Sequence, residues 1–175
     1  MSEPYTALPA DDLSRNATIV HADDPGLTHL GIGAGTYTIL FSGEQTGGAY
    51  TLIEMLVPSG GPPPHRHDFE EMFYMLEGEL DVTFRDEQHR IGPGQAINIP
   101  ANAPHVFRVA SATPARFLCL CLPSGQDEFF KLAGEVLPTR TSPPAVPSPE
   151  RLSEIRGLMM ANALRFKSEF LPPKA

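Results

Sequence analysis

GGPPPHRHDFEEMFYMLEG, residues 60–78, holds two histidines one residue apart behind a stiff run of glycine and proline. Two adjacent glutamates follow, at the mouth of an apolar run. Helix is nearly excluded from residues 62–64, because proline lacks the amide donor and restricts the residue before it. The aromatic and apolar residues that follow read as a strand. In an extended chain, successive side chains point to opposite faces. His65, His67 and Glu71 share parity, so they project to one face, with Phe73 and Met75. Glu70, Met72, Tyr74 and Leu76 project to the other. Glu71, not Glu70, therefore belongs with the histidines. Two imidazoles and one carboxylate on a single face suit a divalent metal.

Working outward, short strand-like runs recur on both sides of this stretch. GTYTILFS (residues 35–42) and AYTLIEMLV (49–57) precede it; ELDVTFRDE, HRIG, QAINIP, HVFRVA and ARFLCLCL follow. Gly, Pro, Asn or Asp punctuate them at intervals of about ten residues, the rhythm of an antiparallel sandwich or barrel. No alternation of strand and helix appears. The expected organisation is an all-β barrel over residues 31–124, preceded by a polar, turn-rich arm (1–30). A short helix (125–135) follows, with Ser124 as cap and Gly134 near its end. A proline-rich extended linker (136–148) leads to a C-terminal helix (149–171). That helix is expected to start at Ser148 with Pro149 in its first turn. Leu152, Ile155, Met159, Phe166 and Phe170 form its apolar stripe, which would dock on the barrel, on a sister subunit or on another partner.

Composition narrows the function classes. The chain has 175 residues, 41% of them hydrophobic, and a net charge of −8. That balance, with no basic cluster to offset it, argues against nucleic acid. The longest apolar run, FLCLCL, is too short to cross a bilayer, and the N-terminus lacks the charged-then-apolar pattern of a signal peptide. The expectation is a cytoplasmic protein with no membrane or nucleic-acid partner. Cys119 and Cys121, at i and i+2 of one strand, share a face but are poorly placed for an unstrained disulfide. They read as a free, buried pair in a reducing compartment.

A second proline-stiffened turn, IPANAP, precedes His105 at the start of another strand. Two separate turn-then-strand segments thus deliver histidine to a strand start, as expected if one mouth of a barrel holds a metal. His21, His29 and His89 lie in polar, loop-like contexts and read as solvated.

These two segments resemble the paired motifs of the cupin superfamily. The first pattern is met by His65, His67, Glu71 and Gly78, the second by Gly94, Pro100 and His105. Gly60 lies one residue closer to His65 than the usual pattern, Asn102 stands where the second motif has glycine, and Val109 replaces a closing asparagine. None of these departures removes a ligand, and asparagine tolerates the left-handed turn conformation. Each motif occurs once, which is similar to single-domain cupins. The resemblance implies a jelly-roll β-barrel with His65, His67, Glu71 and His105 as ligands of one divalent ion per chain (iron, nickel, manganese, cobalt or zinc). GGPPPHRH and EFFKLAGE are similar to quercetin-dioxygenase-like cupins, in which the ligand glutamate also accepts a substrate proton. Glu71 is then the catalytic base, acting on a small enol-type or flavonol-like substrate in a pocket lined by Phe73, Met75 and Phe107. Two other readings stand beside this one: a metal-dependent binding or sensing domain, and an isomerase or epimerase using the ion as a Lewis acid. The apolar outward residues Met72, Tyr74 and Leu76 call for a cover, and a homodimer is expected.

Overall fold

The computed structural model describes residues 7–172. Twelve strands form two antiparallel sheets. In chain order they are β1 (Thr28–Ile32), β2 (Gly35–Phe41), β3 (Thr51–Val57), β4 (His65–His67), β5 (Glu70–Glu77), β6 (Leu80–Phe84), β7 (Glu87–Ile91), β8 (Ala96–Ile99), β9 (His105–Val109), β10 (Ala115–Leu122), β11 (Glu135–Leu137) and β12 (Ser168–Phe170). The larger sheet runs β11-β1-β2-β3-β10-β5-β8, the smaller β12-β4-β9-β6-β7. The all-β, antiparallel architecture is the one that the strand rhythm predicts, and the jelly roll is the one that the cupin resemblance implies.

Alternation builds the core. On β5, Glu71, Phe73 and Met75 are buried while Glu70 and Tyr74 are exposed. On β10, Ala115, Phe117, Cys119 and Cys121 are buried between half-buried neighbours. Phe73, Phe117, Leu30, Ile53, Met75, Leu80, Ile99 and Val82 are the largest side chains fully enclosed between the sheets. β2 departs from alternation, because its outward Thr36 and Thr38 are buried as well. Chain outside the strands packs there. Thr36 Oγ1 donates to Ser142 O, and Arg140 bridges Asp23 and the buried Glu54. The arm and the linker thus hold the β1–β3 side of the outer face.

The expected C-terminal helix is shorter than predicted. α1 (Gln126–Ala133) and α2 (Pro149–Asn162) are the α-helices, and a 3-10 turn covers Ala163–Phe166. Ser148 caps α2 through the Arg151 amide, as expected. Lys167 then adopts φ 54°, ψ 31°, a left-handed conformation that reverses the chain. Residues 168–170, read as helix, instead pair with β4: Ser168 lies opposite His67, Glu169 opposite Arg66 and Phe170 opposite His65. An open strand edge with unpaired amides outcompetes local helical periodicity. The stripe on α2 buries no residue fully, while Phe166 and Phe170 leave it to gather around Phe129 of α1. Two further corrections concern boundaries. Gly125, not Ser124, caps α1, without a side-chain bond. Strands also occupy the end of the arm (β1) and the start of the linker (β11), which pair with each other.

Candidate metal centre

The stiff turn before β4 is tied to β9. Val109 N–H donates to Gly60 O at 2.9 Å, and the Arg108 guanidinium donates to Pro62 O. Gly61 is required by close approach: a Cβ there would lie 2.0 Å from Phe107 O. The second turn is fixed at Asn102, with φ 66°. Its N–H donates to His67 O at 2.7 Å and its Nδ2 to Asp68 Oδ1 at 2.8 Å. Asparagine here takes the left-handed turn that glycine would allow, and adds a side-chain tie between the two turns. β4 and β9 are then joined at His65 opposite His105.

These constraints bring His65, His67, Glu71 and His105 together, with ligand atoms all within 4.8 Å of one another. Glu71 Oε2 lies 3.2 Å from Nε2 of both His67 and His105. His67, Glu71 and His105 are buried, and His65 is half-buried. Glu70 points outward, as its phase demands, and bonds to Asn98 Nδ2 and Ala101 N–H.

The donor set fits a divalent ion. Each histidine has its Nδ1 2.9 Å from a backbone carbonyl: His65 to Pro63, His67 to Phe69, His105 to Ala103. A carbonyl only accepts, so Nδ1 carries the proton and the neutral ring turns the Nε2 lone pair inward. Three nitrogens and one carboxylate oxygen leave coordination positions for a small molecule, unlike a closed structural site. Burial lowers the His65 pKa to about 4, so this ring stays neutral. Burial would raise Glu71, but in the ion-free site the contacts of Oε2 with His105 and His67, where Nε2 can donate only when the ring carries a second proton, outweigh it and hold the carboxyl below its usual range. For His67, burial lowers and the Glu71 contact raises, and the raising wins.

Phe73, Met75 and Phe107, expected to line a substrate pocket, are 1%, 0% and 4% exposed. Phe73, Phe107 and Phe117 pack edge to face with centroids 5.3–5.5 Å apart. These side chains fill the barrel below the ligands. His21 and His89 are not buried, but His29, read as solvated, is 4% exposed and bonds Thr38 Oγ1 at 2.9 Å. Its partner comes from the pairing of β1 with β2, which no local polar context reveals. Sequence reasoning also missed β12 beside the ligand strand and the contacts of Cys119 and Cys121 with Glu71. The in-phase Cys-x-Cys was a signal for the second.

Comparisons with known proteins agree with the geometry. A family model described as a cupin domain matches residues 52–121. Quercetin 2,3-dioxygenase of Bacillus subtilis (strain 168) is 35% identical over 79 residues, 42% of this chain; the chain spans only 23% of that protein's length. The solved polyketide cyclase RemF from Streptomyces resistomycificus is 30% identical with TM-score 0.53, over 62% of this chain and 81% of that one. A predicted oxalate decarboxylase from Thermotoga maritima has TM-score 0.54 at 19% identity, over 61% and 99%; that likeness shows the fold alone.

Proposed function

The chain belongs to the cupin superfamily, and from that premise we propose that it is a metal-dependent dioxygenase acting on a small enol-type or aromatic, flavonol-like substrate. The single observation that carries the reading is the set of three imidazoles locked by Nδ1–carbonyl bonds around Glu71 Oε2, with His65 the least buried of the four ligands. His65, His67, His105 and Glu71 would hold one ion, which would polarise a bound enol and activate dioxygen. The likeness to quercetin dioxygenase supports the substrate class.

The protein's own groups divide the work. The three rings hold fixed positions, and the buried wall of Phe69, stacked 3.9 Å from His67, excludes water on that side. Glu71 Oε2 is the oxygen facing the centre, so it would take the substrate's hydroxyl proton. Oε1 is turned into the barrel. The substrate approaches past His65, the least buried ligand.

A second reading rests on the likeness to the polyketide cyclase RemF, which reaches 30% identity: the same centre acting as a Lewis acid, without oxidation. Turnover of a flavonol, aerobic against anaerobic, separates the two. Dioxygen uptake matched to substrate loss is expected. Equal turnover without dioxygen would replace the oxygenase with the Lewis-acid enzyme, and metal-dependent ligand binding without turnover would leave a binding or sensing domain.

The homodimer belongs to the same proposal. With the arm and linker on the β1–β3 side, Met72, Tyr74, Leu76, Leu118 and Leu120 remain half-exposed or exposed on β5 and β10. A second copy seated on this apolar strip would remove it from water. Among the described residues no helix is long and apolar enough to cross a membrane.

A further inference from the structure

Glu71 has two oxygens, and only one faces the imidazoles. Oε2 lies 3.2 Å from Nε2 of His67 and of His105. Oε1 meets sulfur instead: Cys119 Sγ donates to it at 3.3 Å, and Cys121 Sγ approaches at 3.9 Å. The two sulfurs are 3.6 Å apart. Pairing of β10 with β5 explains the placement. Cys121 lies opposite Glu71 and Cys119 opposite Phe73, all on the inward face. Both cysteines are 0% exposed and Glu71 is 3% exposed. Water cannot serve Oε1 there, and a buried carboxylate oxygen without a donor is costly.

Building on the metal centre proposed above, we propose that Cys119, backed by Cys121, is a positioning residue: its thiol hydrogen bond holds Glu71 Oε1 away from the ion and presents Oε2 as the single carboxylate donor. A glutamate free to turn about its last torsion can offer both oxygens to an ion, because terminal carboxylate torsions are soft. The thiol removes that freedom. The position a second oxygen would take stays available to a small molecule entering past His65. Cys121 acts at one remove, since its sulfur is nearer to Cys119 than to the carboxylate. The role needs protonated sulfur, a donor rather than a ligand.

The test uses the full chain, stripped of metal and titrated with Co(II) against a competing chelator. Affinity and the visible ligand-field spectrum are read together. Partners that orient a ligand from behind are worth about 10–100-fold in metal affinity. Cys119→Ala is therefore expected to bind Co(II) about tenfold or more weakly, with a shifted visible spectrum. Cys119→Ser, which keeps a donor, should recover most of both, and Cys121→Ala should change them less. Cys119→Val fills the space without a donor; matching Cys119→Ala in affinity and spectrum while retaining the native far-ultraviolet circular dichroism, it would separate the hydrogen bond from packing. A folded Cys119→Val with wild-type affinity and spectrum would overturn the proposal and leave the metal centre standing. An intense near-ultraviolet thiolate-to-Co(II) band in the wild type, or two ions per chain, would also overturn it by making the sulfurs ligands. Failure of the wild type to bind Co(II) would instead remove the centre, and this inference with it.

Discussion

A chain ending at Lys167 removes β12 and should loosen the metal centre without unfolding the barrel. β4 carries His65 and His67, yet its partner on the other side, β9, meets it only at His65 opposite His105. β12 supplies three paired residues, the Leu171 N–H bond to Pro64 O at 2.9 Å and the Glu169 partner of Arg66. The backbone bonds are worth about 1 kcal/mol each net, since water replaces them at a newly opened edge. The exposed Arg66–Glu169 pair adds at most about 1 kcal/mol. Phe170 is half-buried, so its ring contributes about 1 kcal/mol, below the range for full burial. Freed backbone entropy returns part of this total. The net loss should be about 2–3 kcal/mol, readable as a lower urea midpoint. Metal affinity should fall with it, because two of four ligands lose one flank of their strand. Isothermal titration with Co(II) or Ni(II) measures the affinity, and Glu169→Gln serves as the control that removes only the ion pair. Unchanged urea midpoint and unchanged metal affinity in the shortened chain would refute the reasoning.

Three further outcomes follow from the geometry. Glu71→Gln should retain substantial metal at saturating supply but lose about a hundredfold or more in turnover, whereas Glu70→Gln, facing outward, should be nearly neutral for both; a metal-replete Glu71→Gln with full activity would remove the base role. Acid should destabilise the metal-free protein between pH 6.5 and about 4, because His65 has its pKa lowered to about 4 on folding and the unfolded chain binds the extra proton in that window; stability rises with pH there, by roughly 3 kcal/mol at most, and a His65→Gln variant should show a flatter urea-midpoint profile across it. Light scattering at micromolar concentration should report a dimer, and Leu120→Glu on the apolar strip should yield monomers; a monomeric wild type would sink the second-copy cover.

Much of the centre was legible because strands translate parity into facing. Glu71 could be separated from Glu70, and His105 joined to the set, by counting residues and reading the turns before each strand. What escaped was decided by distant chain. The 168–170 segment carries helix-like spacing through Phe166 and Phe170, and only the open edge of β4 and the reversal at Lys167 make it a strand. His29 looks like a loop histidine until β2 supplies Thr38. Phe73, Met75 and Phe107 were placed on the correct face, but facing inward does not distinguish a pocket wall from a filled core. Packing against Phe117 decides that.

The central claim is that His65, His67, Glu71 and His105 form one metal centre, and elemental analysis tests it most directly. Protein purified without added metal, then supplied with a slight excess of divalent transition ions and desalted, should carry one ion per chain. His67→Ala and His105→Ala, each checked for folding by circular dichroism, should carry far less, while His21→Ala and His89→Ala should match the wild type. A wild type that retains no ion, or folded ligand variants that retain a full one, would contradict the account.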